Sequence, residues 1–338
     1  MRHLDPTTLL RIRDGVYAAD LLTVAVVELD VVGWLATHGP CSEARLCAEL
    51  GLTARPCDVM VTYLVALSVL QRDGDGRLSA TTLGASLLSS TSPTSLGPYF
   101  GSLRERPACA ELLRVLRTGE PVAWASADTG TEWAARLEDP EFASRITAAM
   151  DARGALLAPM LADSLADLPF ASALDIGGGP GVYARALLAR RADLRAAVLE
   201  RAPVDHAART ILLERGETRL AVITGDMFAD ALPGGFELHL FSHVLHDWPE
   251  REVRQLFAAS FAALPPGGWL VDHDTHLNDE KTGPLAVAEY SVLLMHSTHG
   301  RCWSVAELSS LMADAGFTIH DHRATGGDRA ALIAHKPD

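Results

Sequence analysis

Runs of basic residues are missing from this 338-residue chain, in which Arg190-Arg191 is no more than a dipeptide. The formal net charge is −14, from 43 acidic and 29 basic residues. Nucleic acids and anionic membranes are bound through a basic face that neutralises phosphate groups. We therefore expect neither a nucleic acid nor a membrane as a partner.

Long apolar runs are missing too. No charge-free stretch reaches the roughly 18 residues that a membrane-spanning helix needs, and Met1–Asp5 does not lead into the apolar core of a signal peptide. The five cysteines are an odd number and show no C-x-x-C spacing. Reduced thiols explain them better than a disulfide framework, so we expect a cytoplasmic protein.

The glycine-rich turn at Asp175–Gly181 does not have the dinucleotide-binding pattern G-x-G-x-x-G. It reads D-x-G-G-G-x-G between the apolar run Phe170–Leu174 and the helical pattern Val182–Ala189. A strand, a glycine turn and a helix bring backbone N–H groups close to a ligand. The carboxylate of Asp175 suits a cationic ligand group, because it would repel a pyrophosphate.

The chain is long enough for two domains, and 48% of its residues are hydrophobic. Residues 6–38 are predicted to be mostly helical, and Tyr17–Leu35 is apolar nearly all round, which indicates burial by a partner as well as by its own domain. A short helix closed by Gly51, a second helix and two short strands about Asp73-Gly74 follow, which is a winged-helix pattern. Residues 58–67 of the second helix carry no Arg or Lys, so we predict a dimerisation role and not DNA binding.

From Leu168 onward, short apolar strands alternate with helices, which predicts an α/β domain with a parallel, doubly wound sheet. The predicted strands are Ala173–Ile176, Ala196–Leu199, Leu220–Thr224, Leu238–Ser242, Trp269–Asp272 and Ala330–His335. We divide the chain into a dimerisation domain (1–100), a region of linker and substrate-pocket helices (101–165) and a catalytic domain (166–338). Residues 81–100 are rich in Ser, Thr, Gly and Pro and are predicted to be a connection.

The glycine turn and the residues that follow the strands resemble the class I S-adenosylmethionine (SAM) methyltransferases. The resemblance covers nearly the whole chain and is to the two-domain small-molecule family, which includes caffeate and antibiotic O-methyltransferases. It implies a Rossmann-like catalytic domain behind a winged-helix domain that forms a homodimer, with SAM as cofactor. The residues implied to hold SAM lie at strand ends, where doubly wound folds bind ligands: Asp175, Gly177, Gly179, Gly181, Glu200, Gly225, Asp226, Met227, Phe228 and Ser242.

The resemblance implies specific roles for two of these acids. Glu200 would accept hydrogen bonds from the ribose hydroxyls, and Asp226 would take the adenine amino group. His246-Asp247-Trp248 matches the family signature His-Asp-Trp, whose histidine takes a phenol proton.

Three positions depart from that pattern. Asp272 stands where the family commonly has Glu beside the catalytic histidine, Cys302 where it has a second Glu, and His296 where it has an apolar residue. A branch of the superfamily that methylates α-keto acids with the help of iron has a histidine that aligns with His296. This resemblance implies a transition metal, iron or zinc, held by His246 and His296. The third ligand is open: Asp272 is the candidate, and His243, His273 and His299 are alternates or partners of the ligands. Arg301 is the candidate to pair with the substrate carboxylate.

Three hypotheses follow, in order of preference. The first is metal-assisted C-methylation beside the ketone of an α-keto acid, a chelating substrate whose enolate the metal would stabilise. The second is O-methylation of a phenol with His246 as base, assisted by Asp272. The third is a non-catalytic SAM-binding protein, which would not need the His-Asp-Trp motif.

Overall fold

The computed structural model describes residues 4–122 and 133–338. The chain forms two compact units. We call one the sheet unit (Met1–Leu10, Trp133–His276 and Val305–Asp338) and the other the helical unit (Arg11–Glu132 and Leu277–Ser304). None of the helices in the described ranges is both long and apolar enough to span a bilayer.

In chain order, the helices are α1 (Thr7–Asp14), α2 (Ala18–Thr23), α3 (Val31–His38), α4 (Glu43–Glu49), α5 (Ala54–Ala66), α6 (Thr82–Leu87), α7 (Gly97–Gly101), α8 (Pro107–Thr118), α9 (Trp133–Arg136), α10 (Pro140–Ser164), α11 (Val182–Arg190), α12 (Val204–Glu214), α13 (Glu250–Ala263), α14 (Leu285–Ser297) and α15 (Val305–Asp314). The strands are β1 (Leu70–Arg72), β2 (Leu78–Ala80), β3 (Ser172–Ile176), β4 (Arg195–Glu200), β5 (Leu220–Thr224), β6 (Leu238–Ser242), β7 (Trp269–Asp274), β8 (Thr318–Gly326) and β9 (Arg329–His335). A π-helical turn covers Val24–Glu28, and a 3₁₀ turn covers Leu245–Asp247.

The helical unit contains the predicted winged-helix arrangement. Ser42 caps α4 by accepting a hydrogen bond from the backbone N–H of Arg45 (3.3 Å), and Gly51 follows the helix in the left-handed conformation. Helix α5 then leads into the antiparallel ribbon β1–β2. Helix α14 belongs to this unit and is buried along most of its length, packed against α5.

The predicted connection at residues 81–100 is wrong in part, because α6 and α7 lie there. Thr81 caps α6 through a hydrogen bond from the backbone N–H of Gly84 to its hydroxyl (3.0 Å). The Ser, Thr and Gly content that indicates a loop in this region also supplies helix caps, which composition alone does not distinguish.

The sheet unit is built on a seven-stranded sheet with the order β5-β4-β3-β6-β7-β9-β8. Strands β3 to β7 are parallel, as predicted, but β9 runs antiparallel to both β7 and β8. The prediction of a fully parallel sheet is therefore wrong at this edge. The predicted strands also do not include β8. Strand β8 is an edge strand with mostly exposed polar residues, so it has no apolar run like those that mark β3 and β6 as buried on both faces.

Candidate active site

The glycine-rich turn joins β3 to α11 in a backbone conformation that residues with a side chain rarely adopt. Gly177, Gly179 and Gly181 have φ angles of 65°, 51° and 68°. Gly181 is also the residue that precedes α11. The turn therefore needs glycine for its backbone, and it leaves the approach to the helix N-terminus open.

Asp175, near the end of β3, is a buried carboxylate with no side-chain hydrogen-bond partner among the described residues. Burial raises its pKa to about 7, and the backbone N–H of Ala184 offsets only part of that effect. A buried, unpaired carboxylate destabilises a protein unless a partner arrives. A cationic ligand beside the glycine turn would supply that partner.

Gly181→Ala is expected to destabilise the protein more than Gly179→Ala. A Cβ at Gly181 would lie 2.7 Å from Leu220 and 2.9 Å from Val198, whereas a Cβ at Gly179 meets nothing within 4 Å. Both changes cost about 1–2 kcal/mol of left-handed backbone strain, and the overpacking at Gly181 adds about 1–3 kcal/mol. Urea denaturation without ligand measures the difference, and equal losses would contradict it.

A narrow cleft opens beside the turn. It is lined by Gly177, Leu199, Glu200, Arg201, Gly225, Asp226, Met227, Phe228 and Trp248. The predicted acids Glu200 and Asp226 and the predicted apolar neighbours Met227 and Phe228 thus line one cleft.

The backbone orients both acids of the cleft. Glu200 accepts hydrogen bonds from the N–H groups of Gly179 (3.1 Å) and Arg201 (3.0 Å). Burial nevertheless raises the pKa of Glu200 to about 7, since those two N–H groups offset only part of the effect. Asp226 accepts from the N–H of Phe228 (2.8 Å).

These residues fit SAM. Its methionyl part is cationic, which suits the unpaired Asp175, its ribose hydroxyls suit the carboxylate of Glu200, and its adenine suits the aromatic wall of Phe228. Phe228 in turn packs edge-on against Trp248, with ring centroids 4.5 Å apart.

His246 forms a buried acid–imidazole pair with Asp274. Nδ1 of His246 donates to Oδ1 of Asp274 (2.9 Å) and lies 2.7 Å from Oδ2. The 3₁₀ turn after β6 presents the histidine, and the last residue of β7 presents the acid. A carboxylate on Nδ1 fixes the imidazole ring and its tautomer, with Nε2 as the nitrogen that takes a proton.

The charges around His246 favour its protonated form. Burial alone would lower its pKa, but Asp274 and then Asp247 outweigh burial and raise it above the usual value of 6.5. Asp247 is the weaker partner, since its Oδ1 lies 3.6 Å from Nε2. The pKa of Asp274 is held well below its usual range, because His246 and His243 outweigh its burial.

The comparisons with known proteins agree with this geometry. The model of the O-methyltransferase domain family matches residues 110–318, which is more than half of the chain. The chain belongs to the O-methyltransferase family. It is 28% identical to the 3-hydroxy-5-methyl-1-naphthoate 3-O-methyltransferase of Streptomyces sahachiroi, over 92% of this chain and 89% of that protein.

Two solved structures share the fold of this chain. A family 2 O-methyltransferase of Planctomyces limnophilus, in complex with apigenin, is 29% identical, with a TM-score of 0.87 over 98% of this chain and 96% of that one. Human N-acetylserotonin methyltransferase, in complex with SAM, has a TM-score of 0.60 at 22% identity, over 98% and 97%. The chain is thus a SAM-dependent methyltransferase of the class I fold.

The carboxylate in contact with His246 is Asp274, and not Asp272, which the sequence pattern predicts beside this histidine. Asp272 lies two residues earlier on β7, and its Oδ2 accepts a hydrogen bond from Nε2 of His276 (2.8 Å). The two acids point to the same face of the strand, so spacing alone could not choose between them. The predicted strand ends at Asp272, whereas β7 continues to Asp274.

His243, which immediately follows β6, also lies against Asp274. Its Nδ1 is 3.3 Å from Oδ1 of Asp274, and its φ of 57° is unusual for a side-chain-bearing residue. Burial, with the nearby charge of Arg153, lowers its pKa well below the usual value. Asp274 therefore faces one imidazole that holds a proton readily and one that stays neutral.

His243, His246 and Asp274 present ligand atoms within 4.8 Å of one another. A set with this spacing could hold a metal ion, and of the predicted ligands it contains His246 but neither His296 nor Asp272.

The other residues predicted to hold a metal or substrate have partners of their own. His296, in the helical unit, contacts Glu111 through Nε2 (2.9 Å) and stacks on Tyr17, with ring centroids 4.1 Å apart. Arg301 pairs with Asp58 (3.2 Å). Ser242, a predicted SAM residue, is 2.9 Å from Nδ1 of His273. Their roles in the reaction stay predictions.

Proposed function

We propose that this protein transfers a methyl group from SAM to a hydroxyl oxygen of a small aromatic metabolite. His246 acts as the general base and Asp274 as its positioning partner. The observation that carries the proposal is the buried His246–Asp274 pair, presented by the ends of β6 and β7, in a sheet whose neighbouring strand ends hold Asp175 and Glu200.

When bound, SAM supplies an electrophilic methyl group on a positively charged sulfur. Asp175 would balance that charge, and Glu200 and Asp226 would orient the two ends of the nucleoside. His246 Nε2 removes the hydroxyl proton of the acceptor as the oxygen attacks, and Asp274 stabilises the imidazolium that results. Burial of the pair strengthens this attraction by excluding water.

The acceptor we favour is a hydroxylated aromatic ring system. The Streptomyces relative acts on a hydroxynaphthoate, and the Planctomyces structure holds the flavone apigenin. A first test offers the purified enzyme ¹⁴C-methyl SAM with 3-hydroxy-5-methyl-1-naphthoate, apigenin and phenylpyruvate in parallel. We expect label in a phenolic product and none in phenylpyruvate, whereas label in phenylpyruvate alone would contradict the proposal.

Metal-assisted C-methylation of an α-keto acid, the hypothesis first favoured by the sequence, has weaker support. It needed His246, His296 and Asp272 around one ion, yet each of them has a different hydrogen-bond partner: Asp274, Glu111 and His276, respectively. Treatment with EDTA and ferrous or zinc salts distinguishes the two hypotheses. O-methylation should be unchanged, whereas loss and metal-specific recovery of activity would favour the C-methylation hypothesis.

The pH profile should report the raised pKa of His246. The base works only when neutral, so kcat/KM is expected to fall as the pH drops through a value above 6.5. In Asp274→Asn, Asp247 still raises the pKa of His246, but the larger contribution of Asp274 is gone. The acidic limb of the pH profile should therefore move to lower pH. We also expect kcat to fall by about 10²-fold or more, because the base loses its positioning partner. Steady-state rates across the pH range measure both effects.

Asp247→Asn is the graded comparison, since Asp247 raises the same pKa less than Asp274 does. The limb should move in the same direction but by less. A larger shift for Asp247→Asn than for Asp274→Asn would contradict the assignment of Asp274 as the main partner.

A further inference from the structure

His243 has a backbone and a side chain that both destabilise the folded protein. Its φ of 57° is left-handed, a conformation that glycine adopts without strain and a residue with a side chain does not. Its side chain is 1% exposed, and neither ring nitrogen makes a hydrogen bond of good geometry with a described residue. Such burial of polar atoms destabilises a protein. Stability therefore does not explain this histidine, and residues of this kind are typical of functional sites.

The backbone of β6 and β7 places the ring of His243 beside the proposed base. The N–H of His243 donates to the carbonyl oxygen of His273 (3.0 Å), which continues the pairing of the two strands beyond Ser242. The ring is then 5.7 Å from that of His246 and 5.5 Å from that of His273, centroid to centroid, and edge-on to both. It therefore lies at the end of β7, where Asp274 is presented.

Three nitrogen atoms surround Oδ1 of Asp274. Nδ1 of His246 donates to it (2.9 Å), as does the backbone N–H of Thr275 (2.8 Å). Nδ1 of His243 lies 3.3 Å from the same oxygen. An aspartate side chain rotates about two bonds, so a contact from its own neighbour in the chain does not fix the carboxylate by itself. Apart from the base, His243 is the one member of these three that approaches from another strand.

A neutral imidazole suits this position. Burial and the charge of Arg153 hold the pKa of His243 well below its usual value, so with its proton on Nδ1 the ring is a donor without a charge. A cation at the same place would compete with His246 for the charge of Asp274 and weaken the stabilisation of the imidazolium. His243 can therefore orient Asp274 and leave its negative charge to the base.

We infer that His243 is a positioning residue for O-methylation, which holds Asp274 in the orientation that accepts the Nδ1–H of His246. This inference rests on the proposed function, in which His246 takes the hydroxyl proton. The contact from His243 is long, as catalytic hydrogen bonds often are before the substrate binds, and we expect it to shorten when His246 carries the proton. In this role His243 acts through Asp274 and does not need to touch the acceptor.

Two substitutions separate the donor of His243 from its backbone. His243→Asn keeps a side-chain N–H near the position of Nδ1, and asparagine tolerates the left-handed conformation. His243→Gly adopts that conformation freely but has no donor, so both variants are expected to fold. We expect kcat to fall about tenfold in His243→Gly and to stay close to that of the unaltered enzyme in His243→Asn, with KM for SAM unchanged in both.

Steady-state assays with 3-hydroxy-5-methyl-1-naphthoate measure these effects. EDTA is present, so that no metal ion bound by His243, His246 and Asp274 contributes. An unchanged kcat in His243→Gly, or equal losses in the two variants, would overturn the inference. Ser68→Gly is the matched control for the backbone, because Ser68 has a similar φ of 59° in the helical unit. Its kcat should equal that of the unaltered enzyme.

A double-mutant cycle with Asp274→Asn shows whether His243 acts through Asp274. Residues that act through one another have effects that do not add as free energies. The glycine substitution should therefore lower kcat about tenfold in the unaltered enzyme but have almost no further effect in Asp274→Asn. Losses that multiply, as expected if His243 only supports the local packing, would overturn the inference.

A spectroscopic measurement tests the contact without turnover. In ¹⁵N-histidine-labelled protein, the Nδ1 proton between His246 and Asp274 should give a slowly exchanging, downfield signal. We expect this signal to broaden or disappear in His243→Gly and to return in His243→Asn. An unchanged signal in His243→Gly would overturn the inference. If the unaltered enzyme methylates no probe, the proposed function fails instead, and the signal still shows whether His243 positions Asp274.

Discussion

His246→Asn is expected to lower kcat for O-methylation by about 10²–10⁴-fold while SAM still binds with nearly unchanged affinity. Asparagine keeps a donor that can reach Asp274, so the local structure is retained, but it has no nitrogen that accepts a proton. This substitution alters none of the residues proposed to bind SAM, which are Asp175, Glu200 and the other residues of the cleft beside the glycine turn. Steady-state kinetics and calorimetric titration with SAM measure the two effects.

His239→Leu is the control for this substitution. His239 is an equally buried histidine of β6, and neither of its ring nitrogens has a hydrogen-bond partner among the described residues. Replacing it by an apolar residue of similar size should leave kcat unchanged. If both variants lose the same activity, the loss at His246 reflects packing and not base catalysis.

Asp175→Asn is expected to weaken SAM binding by about 10–100-fold, because a charge-assisted contact is lost. The same substitution is expected to stabilise the SAM-free protein above pH 7. The folded-state pKa of Asp175, about 7, lies above its usual value of 3.8. The free energy of unfolding therefore falls as the pH rises between those values, by up to about 1.4 kcal/mol per pH unit. The neutral amide removes the contribution of Asp175 to that slope, and the contribution of Glu200, whose pKa is also raised to about 7, stays.

Urea denaturation from pH 4 to pH 8 without SAM measures the slope, and calorimetry measures the affinity. Asp151→Asn provides the contrast, since Asp151 is buried but paired with Arg185 and Arg215. That variant should lose stability and keep its affinity for SAM. An Asp175→Asn protein that is less stable at pH 8 and binds SAM normally would contradict the role we give to this carboxylate.

The sequence predicted the fold wherever one signal dominates. Apolar runs located β3 to β7 and β9, and the glycine pattern located the turn between β3 and α11, because only glycine readily adopts that backbone conformation. Edge strand β8 was missed because its residues are polar, and α6 was missed because serine and threonine indicate loops and helix caps alike. The direction of β9 depends on how the chain connects β7, β8 and β9, and the residue pattern of a single strand does not indicate that connection.

In the candidate site, too, local motifs were predicted from the sequence, whereas contacts between distant residues were not. His246 was found through its motif, but its partner was placed two residues too early, since Asp272 and Asp274 alternate correctly on the same strand. Asp274 contacts His246, whereas Asp272 contacts His276, a residue that follows the end of β7. His296 resembled a metal ligand in sequence, yet its contacts with Glu111 and Tyr17 depend on residues far away in the chain.

The most direct test of the central claim is the position of the transferred methyl group. The enzyme is incubated with ¹³C-methyl SAM and 3-hydroxy-5-methyl-1-naphthoate, and the product is analysed by two-dimensional NMR. We predict a labelled methyl group on the hydroxyl oxygen, formed by the unaltered enzyme and not by His246→Asn. A methyl group on carbon, or the same O-methyl product at the same rate from His246→Asn, would contradict the account.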